Sequence, residues 1–265
     1  MPLLAWILTF SAVGGIASAA FAVVFLWIRE ERAARILPHC VSFATGALLG
    51  AALLALLPEA IEGAGVAGAH PLGLTLVAGL GVFFVIEKLV LWWHNHGDGD
   101  PGHGGHSHDQ HFRGREHASG VLVLVGDSLH NALDGVLIAA AFLTSVSLGL
   151  VTTLAVAAHE VPHRVGDFAL LVQAGFSRVR ALYLNLATGL ASVIGALAAW
   201  YGLRRALGVL PYALAFAAAG FLYIAVAGLI PGLHRRADPR ASAIQVILIG
   251  LGIGVIALAE HLAER

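Results

Sequence analysis

The segment "SLGLVTTLAVAAHEVPHRVGDFALLVQ", residues 147–173, decides how the chain is read. Its length and its Leu, Val and Ala content suit a helix crossing the ~30 Å hydrocarbon core of a bilayer. Its second half nevertheless carries His159, Glu160, His163, Arg164 and Asp167. Ionisable groups within a membrane span are costly, and they mark function by default. The letters HEVPH also spell HExxH, the pattern that puts two zinc-binding histidines and a general base on one helix of a metalloprotease. Two readings therefore start from one stretch: a membrane helix that carries metal, or a membrane helix that cuts peptides.

The rest of the chain speaks for a membrane throughout. Of its 265 residues 58% are hydrophobic and only 12% charged, and the mean hydropathy is +0.85. A soluble domain carries roughly a quarter charged residues. A formal charge of −1 leaves no basic face for nucleic acid. Cys40 is the single cysteine, so neither an internal disulfide nor a thiolate metal cluster can form, and metal chemistry falls to histidine and carboxylate.

Apolar segments near 3–28, 39–58, 72–93, 119–143, 147–173, 181–201, 210–230 and 242–260 predict eight spans in an all-α membrane protein. The first lacks a preceding positive charge and is too long for a cleaved leader, so it is expected to remain as a span. Arg29, Arg32, Arg35, Arg113, Arg115, Arg178, Arg180, Arg235, Arg236 and Arg240 all fall on one side, against Arg204, Arg205 and Arg265 on the other. The positive-inside rule puts the richer side in the cytoplasm and both termini outside. One integral membrane domain is expected, with spans 1–3 in residues 1–93, a connecting loop at 94–117 and spans 4–8 in 118–265.

That loop, "HNHGDGDPGHGGHSHDQHFRGREH", holds His94, His96, His103, His106, His108, His111 and His117 among glycines and acids. It cannot build a core, and imidazole at this density binds Zn²⁺ weakly and in many arrangements. A cytoplasmic metal buffer or sensor is expected there.

Span 4 matches the polarity of span 5. Its "GDSLHNALDG" places Asp127, His130, Asn131 and Asp134 at i, i+3, i+4 and i+7, one helical face. His159, Glu160, His163 and Asp167 form a second stripe, and the few residues around "TSVS" make the two helices antiparallel neighbours. If the stripes face each other, His130, Asp134, His159 and His163 converge near mid-depth as a credible ligand set for Zn²⁺. Asn131 and Glu160, each one residue along, point to an adjacent second position. Binding should compete with protons, because the ligands must be deprotonated. Pro162 and Gly135 soften the two helices beside these ligands.

The protease reading fares worse on the same residues. A proline between the histidines disturbs the ligand pair, and His130 with Asp134 supplies more protein ligands than a catalytic zinc with an open position requires. Polar groups that merely glue helices together would not fall into two stripes at facing depths. A cation-diffusion exporter, suggested by the His130–Asp134 HxxxD pair, would need six spans and a soluble C-terminal domain.

The pair "HNALDG" and "HEVPHRVGDF" resembles the fourth and fifth helices of the ZIP (Zrt-, Irt-like) family of divalent-metal transporters, in the branch with HNxxDG and HExPH. "FATGALLGAALLALLPEA" (43–60), "VFFVIEKLVLWWHNH" (82–96) and "AGFLYIAVAGLIPG" (219–232) are similar to its second, third and seventh spans. The resemblance implies a 3+2+3 helix arrangement and elevator-like alternating access. The implied cargo is Zn²⁺, together with Fe²⁺, Mn²⁺ or Cd²⁺, moved into the cytoplasm as substrate, with no organic cofactor. It implies a primary site at His130, Asp134, His159 and His163. A second position would use Asn131 and Glu160, share Asp134 and His163, and reach Ser192 on helix six beside Asn185 and Thr188. Glu59 stands at the outer entrance, and Asp127 and Asp167 are secondary polar positions. Divalent ions and membrane lipid are the expected partners, with a homodimer as the assembly, in a cell (inner or plasma) membrane.

Three positions depart from that branch. Arg164 stands where a glutamate is usual, and is expected either to pair with Asp167 or to point away. Gly228 and Gly232 replace acidic residues, and Ala55 replaces a histidine. A single-ion site is the expectation that follows.

Overall fold

The computed structural model describes residues 2–18, 30–96, 108–173, 175–234 and 238–263, and among these every regular element is helical. α1 (Leu3–Ala12) runs on through a π-helical turn at Val13–Ala17, and α2 (Glu30–Gly50) through another at Ala51–Leu56. α3 (Leu57–His96) is broken by Gly65, whose φ of 63° lies in the left-handed region that glycine alone tolerates easily. The chain turns there between two long apolar stretches. α4 (His108–Thr144) and α5 (Val146–Gln173) are the two motif helices. α6 (Arg178–Leu203), α7 (Leu210–Tyr223) with its π-helical turn Ile224–Leu229, the short α8 (Ile230–His234) and α9 (Pro239–Ala263) complete the chain.

Local chemistry sets the ends. Only Ser145 separates α4 from α5, and its hydroxyl accepts from the Leu148 amide at 3.1 Å, capping the new helix. Ser177 caps α6 by accepting from the Arg180 amide, and Asp238 caps α9 by accepting from the Ala241 amide at 2.9 Å. The α5–α6 turn passes through Gly175 at φ 83°, with the Phe176 amide donating to the Leu171 carbonyl at 3.1 Å. Such a left-handed residue is the usual way to end a helix.

Segments Arg35–Leu89, Arg178–Leu203, Leu207–His234 and Pro239–Leu262 are long and apolar enough to cross a membrane, and Leu3–Ile16 is a shorter apolar helix. α4 and α5 are missing from that set because they carry the ionisable stripes. The outer surface is apolar in the manner of a lipid-facing protein: Val246, Ile247, Leu251 and Leu258 of α9 are all more than half exposed. The chain is an all-α membrane protein.

Helices pack as two groups. α1, α4, α5 and α6 contact one another, while α2 pairs with α9 and α3 with α7. Without a hydrophobic drive between helices in lipid, close approach at small residues supplies the attraction. A Cβ on Gly135 of α4 would collide with the Ser192 carbonyl of α6, and one on Gly195 with the Ala132 carbonyl. Gly15 of α1 and Gly189 of α6 abut in the same way. The groups meet where α5 lies on α2 and α9, and where α4 touches α7.

This packing revises the expected softening. α4 stays helical through Gly135, whose lack of a side chain serves the α4–α6 contact, and α5 stays helical through Pro162. Irregular π-helical turns lie instead in α1, α2 and α7 around the motif helices, and such turns recur at functional sites.

Candidate metal site

Helical geometry brings the stripes of α4 and α5 together near the middle of the molecule. Asp134 is 2% exposed, and His159 and Glu160 are wholly buried. His130 Nε2 and His159 Nε2 lie 3.2 Å apart. Asp134 Oδ2 is 3.4 Å from His159 Nε2 and 3.8 Å from His130 Nε2. Glu160 Oε1 is 3.6 Å from His130 Nε2 and 3.9 Å from His159 Nε2. All four ligand atoms fall within 4.8 Å of one another. Metal–ligand bonds of about 2.0–2.1 Å in a tetrahedron put ligand atoms roughly 3.3 Å apart. Two of these distances, at 3.2 and 3.4 Å, have that length already, and the other three are longer by up to about 0.6 Å.

The protonation pattern points the same way. His159 Nδ1 is 3.1 Å from the Ala155 carbonyl, which can only accept, so Nδ1 carries a proton and, in the neutral ring, Nε2 turns a lone pair toward the cluster. This hydrogen bond is the outer contact that metal-binding imidazoles usually make. Asp134 Oδ2 and Glu160 Oε1, the carboxylate oxygens that face the imidazoles, have no hydrogen-bond partner among the described residues. Buried acceptors collected without donors are costly unless a cation joins them.

His163 stands beside this group. Its ring is 5.4 Å from that of His130 and 6.0 Å from that of His159, and its buried Nε2 has no hydrogen-bond partner among the described residues. Glu160, expected in the second position, thus sits with His130, Asp134 and His159, and His163 stands beside this group instead of within it. The cause is angular. Successive helical residues turn by about 100°, and α4 faces the arc between His159 and Glu160, so the longer glutamate reaches inward.

The other half of the stripes holds Arg164 and not an ion-sized gap. The Arg164 side chain is wholly buried. Its Nη1 donates to Asp127 Oδ2 at 2.7 Å, to the Asn185 carbonyl at 3.0 Å and to Thr188 Oγ1. Its Nη2 donates to Asn131 Oδ1 and lies 2.9 Å from Glu160 Oε2. Neither expected arrangement occurs: Arg164 points into the site, and its carboxylate partners are Asp127 and Glu160. The Glu160 contact follows the i,i+4 spacing within α5, but no local spacing rule reveals Asp127, Asn131, Asn185 and Thr188, which come from other helices.

A cavity of about 320 Å³ runs from His130 and His163 past Asp127, Asp167, Glu87 and Tyr223. It lies toward the end of the molecule where α3 stops and α4 begins. Tyr223 donates a hydrogen bond to Glu87 across it. Neither residue stands out in the sequence, since Glu87 beside Lys88 resembles an ordinary span-end charge. Asp167 lines this cavity, whereas Ser192 packs near Gly15 and Gly135, its buried hydroxyl without a hydrogen-bond partner among the described residues. Glu59 lies in the first turn of α3, outside the cluster. Of the loop histidines, His94 and His96 end α3, and His108, His111 and His117 lie in the first turns of α4; His103 and His106 lie outside the described residues.

Fold and site together define a helical membrane protein with a largely buried His–carboxylate cluster that could hold a metal ion, reached by a cavity. A family model described as the ZIP zinc transporter matches residues 103–260, more than half of the chain. Zinc transporter ZIP13 of Pongo abelii is 36% identical over 87% of this chain and 69% of its own length. The ZIP13 of Homo sapiens is 36% identical over 87% of this chain and 72% of its own length. Zinc transporter SLC39A7 of Mus musculus is 32% identical over 97% and 70% respectively. The chain belongs to the ZIP zinc transporter family, and so is a metal transporter and not an enzyme; the protease reading of HEVPH falls.

Proposed function

We propose that the chain carries Zn²⁺ into the cytoplasm by alternating access, holding it between α4 and α5. Support comes above all from the convergence of His130 Nε2, half-buried, with the buried His159 Nε2, Asp134 Oδ2 and Glu160 Oε1 at spacings near the edges of a zinc tetrahedron. His163 exchanges into the shell as the ion moves toward the cavity. Nitrogen-rich ligation favours Zn²⁺, with Fe²⁺, Mn²⁺ and Cd²⁺ as further cargo set by supply and geometry.

The eight spans cross a cell (inner or plasma) membrane with both termini outside, so that the cavity opens to the cytoplasm. The side favoured by the arginine count is also the side of residues 94–117. Metal enters past Glu59 and leaves through the cavity, where the 94–117 histidines receive it. The group formed by α1, α4, α5 and α6 moves against the remaining helices as the access changes. The chain acts as a homodimer in lipid.

Radiolabelled Zn²⁺ uptake into proteoliposomes tests this reading. Wild type should take up zinc, His159→Ala with His163→Ala should not, and a chain lacking residues 97–111 should retain uptake. Undiminished uptake in the double variant would remove the site from the pathway.

A further inference from the structure

The Arg164 guanidinium occupies a shell built entirely of oxygen. Around it stand Asp127 Oδ2 at 2.7 Å, Glu160 Oε2 at 2.9 Å, the Asn185 carbonyl at 3.0 Å and Asn185 Oδ1 at 3.2 Å. Asn131 Oδ1, Thr188 Oγ1 and, at 3.5 Å, the Gly15 carbonyl complete it. Two carboxylates with amide, hydroxyl and carbonyl oxygens are the donors that oxygen-seeking divalent cations take. Glu160 is common to both halves of the site, with Oε1 toward the imidazoles and Oε2 toward the guanidinium.

We infer that Arg164 is a tethered cation filling the position next to the transported ion, so that this chain loads one divalent ion at a time and excludes a second. Three physical points carry it. The side chain is wholly buried, and buried carboxylates such as Asp127 and Glu160 require a positive partner. A guanidinium does not lose its proton in proteins, so neither pH nor cargo can discharge it. Its shell draws on α1, α4, α5 and α6 at once, and Asn185 Nδ2 donates back to the Arg164 carbonyl at 2.9 Å. A mobile ion in that shell would leave with each cycle, whereas the tethered one keeps the four helices joined throughout.

This inference rests on the proposed transport site, and one experiment separates the two. Zinc per chain is measured by equilibrium dialysis and elemental analysis on the full-length protein, with the 94–117 histidines changed to serine. Wild type and Arg164→Lys should each hold one tight ion, and Arg164→Gln, with its carboxylates uncompensated, should hold two. Loss of the wild-type ion in His159→Ala with His163→Ala keeps the transport-site reading; retention of that ion overturns both. Two tight ions in wild type, or in Arg164→Lys, overturn the tethered-cation inference alone. A single ion in folded, monodisperse Arg164→Gln overturns it as well. The wild-type and Arg164→Lys counts decide the matter where Arg164→Gln is recovered poorly.

Discussion

Asp134 Oδ2 faces His159 Nε2 at 3.4 Å, and in the neutral imidazole, whose proton sits at Nδ1 against the Ala155 carbonyl, each offers a lone pair. Two buried acceptors set nose to nose repel unless a metal ion or a proton lies between them. Replacing His159 with alanine should therefore weaken Zn²⁺ binding by more than the ~10–100-fold typical of losing an outer-shell partner. Asp134→Asn should weaken it by a smaller factor, since the amide oxygen still ligates without charge. Zinc titration with a competing chelator reads both; unchanged affinity in His159→Ala would place the ion elsewhere.

Protons compete for the same lone pairs. Imidazole titrates near 6.5 in its reference state, and zinc binds its deprotonated form. Zinc affinity should thus be fullest at neutral pH and fall as the solution is acidified, by at most about tenfold per pH unit for each ligand that takes up a proton. A titration series from neutral to mildly acidic pH on the protein with its loop histidines changed to serine checks the sign. Affinity that rises on acidification would contradict imidazole ligation.

The site was legible in the sequence where one helix face could be read by itself. The spacing of Asp127, His130, Asn131 and Asp134, and that of His159, Glu160 and His163, announced two stripes, and the one-residue joint at Ser145 brings them together. Two things depended on helix rotation, which spacing leaves free: the nearness of Glu160 and the offset of His163. The destination of Arg164 depended on Asn185, Thr188 and Gly15, residues of two other helices, and only packing reveals such partners. Gly135 reads as a soft point because a lone glycine in a helix usually weakens it; its true neighbour, the Ser192 carbonyl, is more than fifty positions away in the chain.

That contact gives a stability prediction. Any side chain at Gly135 meets the backbone of α6, which cannot rotate aside as a flexible side chain would. Gly135→Val should cost at least the ~1–3 kcal/mol typical of overpacking. Gly166→Ala, one helix away with nothing near its Cβ position, should instead be neutral or stabilising by up to about 1 kcal/mol. Thermal unfolding in detergent should give a lower midpoint for the first and a held or raised midpoint for the second. Equal midpoints would mean that α4 and α6 are not in backbone contact.

The cavity offers a way to separate holding an ion from releasing it. Gly228 lies on its wall, and nothing stands within 4 Å of the Cβ position there. A large side chain can thus be added without disturbing the backbone, and it would project into a space of about 320 Å³. An indole has the bulk to obstruct a cleft of that size while leaving His130, Asp134, His159 and Glu160 untouched. Gly228→Trp should then bind zinc within about threefold of wild type, a difference of under ~1 kcal/mol, and lose at least nine-tenths of uptake, roughly a tenfold effect. Gly228→Ala, which adds one methyl to the same wall, should keep both. If Gly228→Trp transported at the wild-type rate, ions would have to leave by another route, and the hydrogen bond between Tyr223 and Glu87 would have no part in their release.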